Sequence, residues 1–417
     1  MKKILFWLLA ITATISIATG SVYWYIHSIV QEYENYFYPN VMIEGVDLSK
    51  LTKEEGKHQL ANILEEYNQI NVTITAGDQM FQKQLQHIGV QYDLEKQIED
   101  AFQFGKNVTL LEQYKLIKDQ KGRTYTLSYS INESQLNDWI AEMEQSIAKS
   151  PRDAKIKIRN GHVSVSNDVK GVKIDQKQLK IALMEALNAN QKQDISVKAV
   201  LEEVPARLTA DILNNVRHVI GTFTTKYTSN QTNRNLNIKI STETIDSYLL
   251  MPGETFSFND FIGDTTADKG YQPAGSFLNG EVVNSYGGGV CQVSTTLYNA
   301  IINAGIVPDV RYNHSMLVDY VPIGQDAAIA YPYKDLAFTN PYKAPIYIEG
   351  TVSPSSVTFT VYSTADSKPA NTDFRLTSEI VSKDSGKTKS VTYLEMLTNG
   401  NVVNRKVISN DTYKTQN

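Results

Sequence analysis

The amino-acid sequence predicts an α+β protein that follows an N-terminal transmembrane helix. Three observations support this fold class. Residues 4–29 form an unbroken apolar stretch, residues 41–207 alternate between strand-like and helix-like patterns, and residues 350–417 show the alternation typical of strands. A chain of 417 residues is long enough for about two to three domains.

The N-terminal apolar stretch is long enough for a tilted helix to cross a bilayer. Lys2 and Lys3 precede it and acidic residues follow it, which favours an N-terminus on the inner side of the membrane. Ala18-Thr19-Gly20 is a poor cleavage site, and the apolar stretch continues beyond it. We therefore predict an uncleaved anchor in residues 1–30 with residues 30–417 outside the cell. A cleaved signal peptide is the alternative.

Two segments of residues 41–207 have a similar pattern. In each, a Gly-Val strand leads into an amphipathic helix and then a second strand, over residues 45–75 and 171–200. Further helices are predicted over 98–113 and 134–147. The two segments indicate either a weak internal duplication or two ordinary strand–helix–strand units.

The sequence changes character after Pro205. The stretch from Gly253 to Gly305 holds 9 of the 23 glycines, which favours a site built on loops but is also typical of a turn-rich β domain. The strands predicted after residue 350 include a hairpin at Asn399-Gly400-Asn401. We therefore predict one domain over 208–349 and a small β module over 350–417.

Composition excludes several classes of protein. A net charge of −5 argues against a nucleic-acid binder, which usually carries a basic surface. One cysteine excludes an intramolecular disulfide framework and a cysteine-rich zinc site. The remaining question is whether this thiol is a buried apolar group or a nucleophile.

The cysteine lies in the segment GGGVCQVSTTLYNA. Apolar side chains recur after Cys291 at helical spacing as far as Gly305, so Cys291 lies at or near a helix N-terminus, directly after three glycines. The helix dipole and the free N–H groups there would stabilise a thiolate and lower the thiol pKa. The glycines would let backbone amides near Gly288, Gly289 and Val290 approach a substrate oxygen, as an oxyanion hole requires.

A thiolate nucleophile usually needs a base, and the base needs an orienting group. His314 is the candidate base, because it lies far enough beyond Cys291 for a helix and a return strand to bring it back to the helix start. We assign no role to His218. Asp326, which precedes an apolar stretch, is the predicted orienter, and Asp319 is its rival. A lone cysteine is more often a small buried hydrophobe, so these residues leave a catalytic pair and a structural cysteine equally open.

Several blocks of the sequence resemble the VanW family and occur in its order. They are Arg234-Asn235-Leu236-Asn237-Ile238, Pro252-Gly253-Glu254-Thr255-Phe256-Ser257-Phe258-Asn259, Gly270-Tyr271, the highly specific GGGVCQVSTTLYN at 287–299, His314-Ser315 and Asp326-Ala327. The upstream Gly-Val-Asp-Leu and its helix resemble the peptidoglycan-binding domain that commonly precedes VanW domains. The β tail is similar to a module often appended to them.

The resemblance implies work on the Gram-positive cell wall outside the membrane, with peptidoglycan stem peptides and glycan as partners. The family name comes from glycopeptide-resistance clusters, and some VanW-domain proteins are understood to be cysteine L,D-transpeptidases. By that carry-over Cys291 is the nucleophile. Our hypothesis for the mechanism adds His314 as the base and Asp326 as its orienter, and it needs no metal or organic cofactor.

Candidate substrate contacts lie in the same blocks. Arg234 could bind a stem-peptide carboxylate through paired hydrogen bonds, although it could equally bridge loop carbonyls. The other candidates are Tyr286, Gln292, Ser294 and Tyr298. Protein partners are not predicted.

Two other functions remain open at this level. The chain could be a peptidoglycan-binding accessory protein of cell-wall maintenance or glycopeptide resistance without turnover. It could also be a cysteine carboxypeptidase or endopeptidase, in which water replaces the acceptor amine.

Overall fold

The computed structural model describes residues 2–189, 192–278, 281–384 and 386–414. Its helices and strands alternate along the first half of the chain, as the sequence predicts. The elements up to residue 204 are α1 (Lys2–Glu32), β1 (Met42–Ile43), β2 (Val46–Asp47), α2 (Lys53–Asn68), β3 (Asn71–Ala76), β4 (Gln79–Gln84), β5 (Val90–Tyr92), α3 (Leu94–Phe102), α4 (Leu110–Lys118), β6 (Thr124–Tyr125), β7 (Tyr129–Ile131), α5 (Glu133–Ile147), β8 (Ile156–Arg159), β9 (His162–Val165), β10 (Gly171–Ile174), α6 (Gln176–Ala189), β11 (Ile195–Lys198) and β12 (Leu201–Val204).

The second half of the chain is richer in strands. Its elements are α7 (Ala210–Asn214), β13 (His218–Lys226), α8 (Thr232–Ile245), β14 (Tyr248–Leu250), β15 (Thr255–Ser257), α9 (Phe258–Ile262), β16 (Pro273–Leu278), β17 (Glu281–Tyr286), α10 (Val290–Asn303), β18 (Ala337–Thr339), β19 (Ile346–Ser353), β20 (Ser356–Ser363), β21 (Thr372–Asp384), β22 (Lys387–Thr398) and β23 (Asn401–Lys414). Short 3-10 turns lie at Leu85–Ile88 and Ala267–Lys269.

The N-terminal apolar stretch forms the single long helix α1. Within the described residues, it is the one helix with the length and apolarity needed to cross a membrane. Its last turn leads directly into a folded unit, where Ile29 and Val30 pack on the core and Tyr33 is buried. The same length and composition are also found in signal sequences.

The chain divides into two compact units, and the first comprises Met1–Pro151 and Lys170–Pro205. Its main sheet has the order β11-β3-β4, with β11 and β3 parallel. The helices α2 and α6 precede these two strands, so both predicted strand–helix–strand segments form and their second strands pair with each other. Thr52 begins α2 through a reciprocal capping box with Glu55.

The helix predicted over 98–113 is two helices. The chain leaves α3 after Phe102 and passes through Gly105, whose φ of +74° favours glycine. Thr109 then caps α4 through a second capping box with Glu112. The apolar spacing continues across this break, which is why the pattern alone predicts one helix.

The second unit comprises Arg152–Val169 and Ala206–Asn417. Its central sheet is antiparallel with the order β13-β20-β19-β14. The helix α10 packs on β13 and β20, and nearly all of its side chains are buried. The strands β21, β22 and β23 form a separate antiparallel sheet, and Leu376 and Leu394 from it pack on the core of the unit.

The two units differ from the predicted domains at two places. Residues 152–169, predicted within 41–207, group with the second unit because the N–H of Ala154 donates to the carbonyl of Leu208 and the Tyr347 hydroxyl accepts from the N–H of Ile158. The boundary predicted at 350 falls inside β19, which pairs with β20 in the central sheet. Residues 350–417 therefore continue the second unit.

Candidate functional site

One large cavity of the second unit contains the cysteine. Its volume is about 2120 Å³, above the range of about 300–1,000 Å³ typical of small-molecule sites, which suits an extended ligand. The end of β13, the start of α8, the β16–β17 pair, the start of α10 and the loop after residue 314 line it. Cys291 and His314 are both on its wall.

Three glycines shape the start of α10. Gly287 and Gly289 have φ values of +81° and +105°, and Gly289 is the N-cap of the helix. A Cβ on Gly288 would lie 2.5 Å from the carbonyl oxygen of Ala274, so only glycine fits there. Cys291 is consequently the second residue of the helix, where the dipole favours a negative charge.

The Cys291 thiol lies half-buried on the cavity wall. Its sulfur donates to the carbonyl of Ile329 at 3.5 Å and is hydrogen-bonded to His314. Burial acts to raise the pKa of the thiol, but the hydrogen bond and the charge of His314 bring it below its ordinary value. The thiolate is therefore easier to form here than at an ordinary cysteine.

The carboxylate of Asp326 holds His314 at two of its atoms. Both its backbone N–H and its Nδ1 lie 2.6 Å from Oδ2 of Asp326. This leaves Nε2 as the ring nitrogen for the thiol. Burial acts to lower the pKa of the imidazole, but the bonds to Asp326 and Cys291 raise it to about 9. The arrangement has the order of a nucleophile, a base and an orienting acid.

Asp326 is almost fully buried and remains ionised. Burial acts to raise its pKa, but the hydrogen bond and charge of His314, helped by Arg311 and Tyr413, lower it below its ordinary value. Asp319, the rival orienter, is an exposed residue of the cavity wall, and Asp326 occupies the orienting position beside His314. The return strand predicted between Cys291 and His314 is not formed, because residues 304–336 are a loop held by isolated bridges.

The predicted oxyanion donors are not equivalent. The N–H of Val290 donates to the carbonyl of Gly287 at 3.0 Å, so Val290 is already engaged in the turn. Gly288 is buried and, unlike its neighbours, does not line the cavity. Gly289 and Cys291 line the cavity, and they are the better placed amides for a substrate oxygen.

The predicted substrate contacts divide into two groups. Arg234, Gln292 and the half-exposed Tyr286 line the cavity. Ser294 and Tyr298 do not. Ser294 donates to the carbonyl of Ala327, and Tyr298 is 1% exposed within the core, because the loop after residue 324 covers that face of α10.

Sequence reasoning missed Tyr320, Arg311 and Tyr413. Tyr320 lines the cavity and hydrogen-bonds with the side chain of Thr295, and burial raises the pKa of its hydroxyl well above the ordinary value, which keeps it a neutral donor. Its proximity to Cys291 has no local signal in the sequence. Within the described ranges, no cluster of three or more His, Cys, Asp or Glu side chains is arranged to hold a metal ion.

The lowered pKa of Cys291 should change how its alkylation depends on pH. We expect its alkylation by iodoacetamide to become half-maximal below about pH 8.5, the value of an ordinary thiol. Because the chain has one cysteine, the reagent reports on this thiol alone. The urea-unfolded chain is the control and should react as an ordinary thiol. A folded protein that follows the unfolded pH profile would contradict the ion pair with His314.

Comparison with known proteins places the site inside a known sequence family. Residues 233–362 match the family model "VanW like protein", and residues 81–196 match the model "Putative peptidoglycan binding domain". The chain is 33% identical over 231 residues to "Uncharacterized protein YoaR" of Bacillus subtilis. These residues cover 54% of the chain and 73% of that relative.

A second relative is "Vancomycin B-type resistance protein VanW" of Enterococcus faecalis. It is 28% identical over 144 residues, which cover 33% of the chain and 52% of the relative. No solved structure matches the chain significantly. The first family model includes Cys291, His314 and Asp326 and ends before β21.

Proposed function

The chain belongs to the VanW family and carries a peptidoglycan-binding domain, and on this premise we propose that it is a cysteine-dependent peptidoglycan L,D-transpeptidase. One observation carries the proposal. The sulfur of Cys291, the imidazole of His314 and the carboxylate of Asp326 are hydrogen-bonded in series, with the thiol at a helix N-terminus beside an open cavity.

The first half of the proposed reaction acylates the enzyme. The Cys291 thiolate attacks the carbonyl carbon of the third residue of a donor stem peptide. The tetrahedral intermediate collapses as the C–N bond to the terminal D-alanine breaks, and the imidazolium of His314 gives its proton to the leaving amine. The products are a thioester on Cys291 and free D-alanine.

The second half forms the cross-link. The side-chain amine of an acceptor stem peptide attacks the thioester carbonyl while His314 takes a proton from that amine. The C–S bond breaks, a new amide bond forms, and the thiolate returns to its ion pair with the imidazolium. The amides of Gly289 and Cys291 stabilise the oxyanion in both halves.

We also propose that α1 is an uncleaved anchor that places the rest of the chain on the cell-wall side of the membrane. The helix passes into the first unit without a linker, and Tyr33 directly after it is buried in that core. Two lysines at its start favour this orientation. A membrane fraction that contains the chain with its original N-terminus would support the anchor, and a shortened N-terminus would contradict it.

The decisive experiment incubates the full-length chain in detergent with a disaccharide tetrapeptide. A cross-linked dimer with release of D-alanine supports transfer. Release of D-alanine with only a disaccharide tripeptide would instead identify a carboxypeptidase, since an open cavity admits water to the thioester. If neither product forms and the thiol alkylates as slowly as an ordinary cysteine, the proposed catalysis is wrong.

Arg234 gives a prediction for substrate binding. Its Nη2 donates to Oε1 of Gln292 at 2.7 Å, and the Gln292 amide is itself fixed by donating to Thr225 and to the carbonyl of Lys226. A neutral amide therefore orients the guanidinium without neutralising it, which leaves its charge for a substrate carboxylate.

We expect Arg234→Gln to raise KM for the donor by about 10-fold or more with a smaller change in kcat. Lys239→Gln is the control, because Lys239 is an exposed cation of the same helix that pairs with Glu243 outside this cavity. An unchanged KM in the Arg234 variant would exclude this role.

A further inference from the structure

The last described strand, β23, reaches the orienting carboxylate of the site. We propose that Asp411 and Tyr413 of this strand are positioning residues, which hold Asp326 and thereby orient His314 toward Cys291. The inference rests on the proposed function, and it adds residues that lie outside the VanW family match at 233–362.

Tyr413 contacts Asp326 directly. Its hydroxyl donates to Oδ1 of Asp326 at 2.6 Å and accepts from the N–H of Gly324 at 3.1 Å. Its side chain is 1% exposed. His314 therefore contacts Oδ2 and Tyr413 contacts Oδ1, so each oxygen of the carboxylate has its own partner.

Asp411 acts through Arg311. The Nη1 of Arg311 lies 2.7 Å from both carboxylate oxygens of Asp411. The Nη2 of Arg311 donates to Oδ1 of Asp326 at 3.1 Å, and its Nε donates to the backbone carbonyl of Asp326 at 2.6 Å. All three side chains are less than a tenth exposed, so water competes little with these bonds.

The backbone of β23 docks on the loop that carries His314. The N–H of Lys414 donates to the carbonyl of Ser315 at 2.8 Å, and Asn313 donates to the carbonyl of Thr412. A parallel bridge also joins Lys414 to Met316. The strand therefore fixes both the carboxylate and the loop on either side of the imidazole.

If these bonds served stability alone, they could lie anywhere in the core. Here they converge on the one acid that holds the base, so their loss should change titration as well as stability. Titratable and charged groups that interact with Asp326 or His314 include Cys291, Tyr298, Arg311, Tyr320 and Tyr413. Asp411 pairs with Arg311, and Lys334 and Lys414 contact backbone carbonyls of the loop that carries His314.

The test measures alkylation of Cys291 by iodoacetamide against pH in the full-length chain. Tyr413→Phe removes a donor that favours the ionised form of Asp326. Ionised Asp326 supports the imidazolium of His314, which in turn stabilises the thiolate. We therefore expect the acidic limb of the profile, where the alkylation rate rises with pH, to move to higher pH by about one unit. Asp411→Asn leaves the charge of Arg311 less neutralised beside Asp326, so the Asp326 carboxylate stays ionised to lower pH. The acidic limb should then move to lower pH.

The control is Tyr362→Phe. Tyr362 is a buried tyrosine of the same unit that donates to the buried carboxylate of Glu349, away from the cavity. The Tyr362→Phe variant should lose about as much thermal stability as Tyr413→Phe and leave the pH profile of alkylation unshifted. If Tyr413→Phe and Asp411→Asn lower the rate equally at every pH, or not at all, the inference is wrong. Because alkylation needs no peptidoglycan, this outcome is independent of whether the wild-type chain forms cross-links.

Discussion

Replacing Cys291 with alanine is expected to abolish formation of cross-linked dimer, with a loss on the order of 10⁴-fold or more. In the proposed reaction the acyl group is transferred to the sulfur that this variant removes, and no other thiol exists in the chain to replace it. We expect little change in thermal stability, because the half-buried Cys291 has a short side chain at a helix start and alanine suits that position. The measurement is product analysis with disaccharide tetrapeptide.

Binding to isolated cell walls provides the control for this variant. Residues 81–196, which match the peptidoglycan-binding model, lie mainly in the first unit and do not include Cys291. Wall binding should therefore equal that of the wild type while cross-linking is lost. Cross-linked dimer formed at the wild-type rate by Cys291→Ala would show that Cys291 is not the nucleophile.

The second large effect is expected for Asp326→Asn. An uncharged amide no longer stabilises the imidazolium as the carboxylate does, so we expect a loss of about 10³- to 10⁴-fold in kcat. The pKa of His314 should fall from its raised value of about 9. Arg311 would also lose a buried anionic partner, at a cost in unfolding free energy of about 3 kcal/mol.

The loss of folding stability at low pH provides a second test of Asp326. The pKa of Asp326 is lowered in the folded protein, so its contribution to stability is present above its unfolded pKa and is lost as pH falls through the folded one. Asp326→Asn should remove that part of the acid-induced destabilisation. Asp319→Asn, an exposed acid on the cavity wall, is the matched control and should retain activity. Equal losses in both variants would contradict the assignment of Asp326 as orienter.

The parts of the site that are local in sequence could be predicted. Three glycines followed by apolar residues at helical spacing predict the start of α10 and the position of Cys291 within one turn. His314 and Asp326 could be proposed because they are 12 residues apart and this half of the chain has few histidines.

The rest depends on tertiary contacts without a local signal. Tyr413 is one of 24 tyrosines and lies 87 residues from Asp326. Ser294 and Tyr298 share helical spacing with Cys291, but spacing does not reveal that a distant loop covers most of that face. The segment 152–169 likewise has the strand pattern of its neighbours, and only its contacts with the second unit separate it from them.

The hydrogen bond between Cys291 and His314 links the proton affinity of the imidazole to the charge of the sulfur. The thiolate is one of the groups that raise the pKa of the imidazole. In the proposed reaction the thioester removes that charge while Asp326 remains, so the pKa of His314 must fall when the enzyme is acylated. The same imidazole is therefore a proton donor while the D-alanine leaves and a proton acceptor once the acyl group is attached, a reversal driven by the covalent state of the sulfur.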